Sequence, residues 1–201
     1  MKKVISLISL LLLTLLLQGC VAGVIAAGAG AGAAGGSIAS DNRTIQTITD
    51  DQEIAYKANR LVSANHDLNT KAHIVIVSYN KVVLMAGQAP TAALRDQAVD
   101  LVKTVPKVRR IFNEITVGTP TSAYRRSKDA AITGSIKTRM VATAKLKSSQ
   151  IKVVTEDGTV FLLGLTTPQQ AEIAGKVARS NEGVKQVVKL IEYIYGPSTN
   201  N

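Results

Sequence analysis

Side chains able to do chemistry are few among the 201 residues, and their spacing serves none of the common reactions. His66 and His73 are seven apart with no Cys or acid at ligand spacing, so they read as surface imidazoles rather than metal ligands. Asp50-Asp51-x-Glu53 precedes a run of apolar residues at helical spacing and reads as helix capping, not as an acid/base pair. Glu156-Asp157 stands before Gly158 and reads as a turn. Gly30-Ala31-Gly32-Ala33-Ala34-Gly35 has the form G-x-G-x-x-G, but a dinucleotide site needs a strand before it and an acid about 20 residues later. Neither is present. With no G-x-S-x-G or H-E-x-x-H either, no enzyme, metal or cofactor is expected.

The single Cys excludes a disulfide scaffold and acquires a different meaning from its position. Lys2 and Lys3 precede an apolar run from Val4 to Leu17, the order of a secretory signal and too short for a comfortable membrane span. Leu17-Gln18-Gly19-Cys20 resembles the bacterial lipobox. That resemblance implies cleavage before Cys20, lipid on its thiol and acylation of the new amine. Two or more acyl chains suffice for stable anchoring. Val21 rather than Asp follows, which by resemblance to enterobacterial sorting points to the outer membrane, facing the periplasm, with the inner membrane as the alternative. Val21 to Ser40 carries no charge and reads as a flexible tether; the four-residue spacing of Gly28, Gly32 and Gly36 leaves close helix packing in lipid as the other reading.

What must position any functional surface is one unit written twice. An offset of 78 aligns Asp51 with Asp129, Ile54 with Ile132, Leu68 with Leu146, Val75 with Val153, Val82 with Val160, Leu84 with Leu162 and Pro90 with Pro168. A two-residue deletion then pairs Ala98 with Ala174 and Ile115 with Ile191. Each copy reads helix, two hairpin strands, helix, strand. Ile54, Ala58, Leu61 and Val62 recur at helical spacing, as do Ile132, Ile136, Arg139 and Met140. Tyr79-Asn80 and Asp157-Gly158 link the strand pairs 73–78 with 81–86 and 150–155 with 159–164. Second helices are expected over 91–104 and 169–180, and closing strands over 108–117 and 184–195. The fold class is therefore α+β: two tandem αββαβ modules, each a three-stranded mixed sheet with two helices on one face. Val75, Val77, Val83, Met85, Ile111 and Phe112, then Val153, Val160, Leu162, Val187 and Leu190, are the expected core. Such a core is marginal alone, a reason for the copies to pack together.

The order αββαβ, the hairpins "VIVSYNKVVLMAGQAP" and "IKVVTEDGTVFLLGLTTP", and the closing "VPKVRRIFNEI" and "EGVKQVVKLIEYI" resemble the BON domain. With lipobox and spacer, the chain resembles dual-BON outer-membrane lipoproteins: signal 1–19, lipidated Cys and tether 20–48, first domain 49–118, linker 119–127, second domain 128–196, tail 197–201. One departure is Pro106-Lys107 before the last strand of the first copy, where the second has Glu182-Gly183. The resemblance implies a non-enzymatic protein that binds anionic phospholipid such as phosphatidylglycerol through the second domain and supports envelope integrity and cell division.

The charge agrees with that implication. Of 24 cations and 14 anions, residues 41–119 hold 10 and 8, and residues 120–201 hold 12 and 6. Arg125, Arg126, Lys128, Lys137, Arg139, Lys145 and Lys147 face only Asp129 within their own stretch. On a helical wheel Ile132, Ile136 and Met140 point inward, while Lys137, Val141 and Lys145 point away beside Ala130 and Gly134, and Arg139 snorkels at the boundary. Arg125, Arg126, Lys128, Lys137, Arg139, Val141 and Lys145 are therefore the candidate lipid-binding set, each cation near an anionic surface contributing about 1 kcal/mol. Ala131 stands where relatives can carry an aromatic for membrane contact, and Tyr124 is a substitute two turns earlier. Nucleic acid is not expected as a partner, because few aromatics stand ready to stack bases and the export signal directs the chain elsewhere. The competing reading is an adaptor whose surfaces bind an envelope assembly machine, with the basicity incidental.

Overall fold

The computed structural model describes residues 41–195. Cys20, the tract to residue 40 and the tail 197–201 lie outside the described residues. In the first module, α1 (Ile45–Ala64) opens on Thr44, whose hydroxyl accepts from the Thr47 N–H at 3.1 Å. Asp50 and Asp51 therefore lie inside the helix rather than at its start, and both are buried. α1 puts Ile54, Ala58 and Val62 into the core while Leu61 faces out. A short α2 (His66–Lys71), capped by Asn65, occupies what the polar sequence suggests is loop, so His66 begins a helical turn.

β1 (His73–Tyr79) pairs antiparallel with β2 (Val82–Ala89), α3 (Ala92–Lys103) crosses over, and β3 (Arg110–Val117) returns parallel to β2. The second module repeats this with α4 (Ala123–Ala142), β4 (Ile151–Glu156), β5 (Thr159–Thr166), α5 (Pro168–Arg179) and β6 (Gln186–Tyr193). The mixed three-stranded sheets are those the crossover requires. α4 starts within the stretch read as linker, on an N-cap at Ser122, and it ends before Lys145.

The hairpins correct the alignment of the copies. The turns are Asn80-Lys81 (φ 53° and 63°) and Asp157-Gly158 (φ 47° and 77°), two-residue turns with positive φ at both positions. Turn residues thus correspond at an offset of 77, not 78. One residue is lost between Leu146 and β4, and a second at Pro90, which precedes the N-cap Thr91, whereas Pro168 follows the N-cap Thr167. A slip of one reverses every strand side chain. Val83 and Val160 face their helices, while Leu84 and Phe161 face the opposite way.

Those opposite faces meet. Ile54, Ala58, Val62, Leu68, Ile76, Val83, Met85, Ala98 and Val102 form the first module's helix-side core. Ile136, Met140, Leu146, Val153, Val160, Leu162, Ala174 and Ala178 form the second's. A third core joins Tyr79, Leu84 and Ala86 to Val154, Phe161 and Leu163, with Val75, Val77, Phe112, Val188 and Leu190 packed around it. The two modules are thus layered helix, sheet, sheet, helix. Every residue of β2 is buried because both of its faces are covered. Val75, Val77, Phe112 and Leu190, expected within single modules, belong to this shared layer.

Candidate functional site

Each module is organised around one buried aspartate. Asp51 lies on the stripe of α1 that carries Ile54 and Ala58, so its carboxylate is directed into protein. It accepts from the Asn80 and Lys81 N–H groups at 2.7 Å each and from the Ser78 hydroxyl at 2.6 Å, and Arg43 lies 2.8 Å away. Asp129 repeats the arrangement, accepting from the Asp157 and Gly158 N–H groups at 2.9 Å each. Amides of a turn with two positive φ values converge on one side and suit an anion. The carboxylates tie first helix to hairpin and are not reagents. Sequence reasoning assigned Asp51 to capping; the missed signal was an acid on the apolar face of both first helices.

That tie sets the pose of α4 and its exposed side. Arg125 turns back to the hairpin, with Nε 2.9 Å from Asp157 Oδ1. Arg126 donates to the Thr121 carbonyl at 2.5 Å. Arg139, though exposed, lies along the surface toward α5: it donates to Ser180 Oγ at 2.9 Å and to Asn181 Oδ1 at 3.4 Å, bridging to the end of that helix. Lys145 sits after the helix in a turn with φ 66°, off the helical face that the wheel assigned to it. Lys128 lies 4.7 Å from the Tyr124 ring centroid. Lys137 has no ion-pair partner among the described residues, and Val141 is 73% exposed. Of the seven expected residues, α4 presents Lys128, Lys137 and Val141 to solvent with Tyr124, while Arg125, Arg126 and Arg139 serve local structure. At the matching places α1 has Gln46, Asp50, Asn59 and Ser63.

The seam between the sheets has a polar rim. His73, far from an ordinary surface imidazole, lies 3.2 Å from the buried Glu156, which also accepts from Gln88 and Thr121. Glu192 takes hydrogen bonds from Arg109 and Asn80, and the Tyr79 hydroxyl donates to the Gln150 carbonyl. Lys152 projects from β4 toward Ser78. Burial pushes its ammonium below the ordinary value, and the charges of Arg43 and Lys137 act the same way against Asp51. Among the described residues no group of three or more His, Cys, Asp or Glu could hold a metal ion. No helix among them is long and apolar enough to cross a membrane.

Comparison with known proteins matches the two copies to one family. A family model described as the BON domain fits residues 50–119 and again 128–195. The sequence is 38% identical over 181 residues to the outer membrane lipoprotein DolP of Haemophilus influenzae, covering 90% of this chain and 92% of that one. It is 37% identical over 154 residues to a 21 kDa hemolysin of Actinobacillus pleuropneumoniae, covering 77% and 79%. Osmotically-inducible protein Y of Escherichia coli is 28% identical over 153 residues, covering 75% and 76%.

Proposed function

From the premise that this chain belongs to the BON-domain family, as a dual-BON outer-membrane lipoprotein of the DolP type, we propose that its second module docks on anionic phospholipid through the outer face of α4. The carrying observation is the contrast between equivalent helices. α4 offers Lys128, Lys137 without an ion-pair partner among the described residues, Val141 and Tyr124 to solvent, while α1 has polar or acidic residues at those places. Cations supply attraction to phosphate, and an exposed Val and Tyr suit the boundary of headgroup and acyl chain. Acylated Cys20 holds the module within reach of the bilayer, so the helix need supply only selectivity. The role assigned is support of envelope integrity and cell division where such lipid is enriched, without catalysis.

Because Arg139 braces the module, the test uses Lys128→Glu with Lys137→Glu. The mature chain with Cys20→Ser is expected to float with phosphatidylglycerol vesicles and not with phosphatidylcholine vesicles. At about 1 kcal/mol per cation, the double reversal weakens this by roughly tenfold or more. Equal flotation of the variant rejects this face as the site.

A further inference from the structure

The two modules differ at a place where their folds coincide. In the second, the gap between first helix and the end of the second helix is closed by side chains: Ser135 Oγ donates to Asn181 Oδ1 at 2.7 Å, and Arg139 lies across both Asn181 and Ser180. In the first module the positions of Ser135, Arg139, Ser180 and Asn181 are held by Lys57, Leu61, Thr104 and Val105. These cannot make that network. What remains is an open groove of about 270 Å³, lined by Leu61, Ala64, Val105 and Pro106 with Lys57, Arg60 and Thr104.

The groove is apolar and its free charge is positive. Lys57 is engaged by Glu53 at 2.6 Å, whereas the Arg60 guanidinium has no ion-pair partner among the described residues. Tyr56, 65% exposed, stands one turn before Arg60, and Leu61 is 37% exposed on the groove side. An arginine beside an apolar socket, with an exposed tyrosine one turn away on the same helix, has the composition of a protein-docking surface. A volume below the usual range of about 300–1,000 Å³ for small-molecule sites suits one apolar side chain and not a whole acyl chain. We infer that the α1/α3 groove of the first module docks a protein partner through an apolar side chain flanked by a carboxylate, the apolar group seated on Leu61 and Val105 and the acid on Arg60. This surface is separate from α4 and does not rest on lipid binding.

The test follows Leu and Val methyl resonances of the full lipidated chain in phosphatidylcholine nanodiscs. The probes are acetyl-Asp-Leu-Phe-Glu-amide, its counterpart with lysine for both acids, and octanoate. The acidic peptide is expected to shift the Leu61 and Val105 methyls saturably and to bind at least threefold more tightly than the basic one. Leu61→Arg with Val105→Asn, which copies the second module, weakens it at least tenfold. Arg60→Glu, a surface change that leaves the core alone, reverses the preference between peptides. Methyls unmoved by either peptide, undiminished peptide affinity in the double variant as read from its remaining Leu and Val methyls, an unchanged preference in Arg60→Glu, or saturation by octanoate alone each overturn the inference.

Discussion

A carboxylate on the apolar stripe of a helix must find donors inside the protein, and Asp51 and Asp129 find them in the amides of the hairpin turn. Charge-assisted bonds of this kind are roughly twice as strong as neutral ones, and an amide left unpaired on burial costs about 1–3 kcal/mol. The neighbouring Asp50 works differently. Lys107, Lys81 and Gln46 hold its carboxyl well below the usual carboxylate range. Asp50 raises the Lys107 ammonium above its ordinary value in return, with help from Glu53. Lys107 takes φ 71° where Gly183 takes φ 82°, so the missing glycine leaves the turn intact. The left-handed conformation costs a non-glycine residue roughly 1–2 kcal/mol, and at this position the Lys107 ammonium pairs with Asp50 and Glu53. A carboxyl with a folded value below its unfolded value of about 4 stabilises the fold above that pH and loses the contribution as pH falls through the folded value. The raised ammonium stabilises below about pH 10 and loses its contribution above that. Urea unfolding of Lys107→Met is expected to show a deficit that is constant from about pH 5 to 9 and narrows toward about pH 2. A deficit as wide at the acid end would show that Lys107 acts by packing alone.

At the scale of elements, α4 is held by Ile136, Met140 and Asp129 on one side, and among the described residues its opposite side is exposed. Gly134 lies on that outer side, with no atom within 4 Å of where a Cβ would stand. Gly134→Ala is therefore expected to stabilise the protein by about 0.5–1 kcal/mol, read as a higher urea midpoint, while vesicle flotation stays within twofold. A lower midpoint would mean that the glycine answers a contact at this face. The helices were legible from their 3.6-residue periodicity, and the strands as short apolar runs bounded by turn residues. The cationic character of α4 was legible too, but the direction of each long side chain was not. Arg139 is at the boundary on any wheel, and the neighbouring Ser180 and Asn181 draw it across to α5.

At the scale of the molecule, neither sheet has a solvent face over the shared core. Burying Leu84, Phe161 and Leu163 there contributes roughly 1.5–3 kcal/mol per side chain, a large addition to two cores that are each small. The modules are expected to unfold together. Leu84→Ala should cost about 2–5 kcal/mol and raise amide exchange in β5 of the second module as well as in β2 of the first. Faster exchange confined to the first module would show that the two unfold independently.

The duplication, the αββαβ order, the mixed sheets and the concentration of positive charge in the second copy are all readable in the amino-acid sequence. Each of these is written in local spacing, which near neighbours read. The tertiary structure alone decided the hairpin register, the partners of the buried aspartates and the packing of sheet on sheet. It also decided which cations are free. Strands buried on both faces lose the alternation that would reveal a slip of one residue. A salt bridge or groove depends on what another part of the chain brings to it.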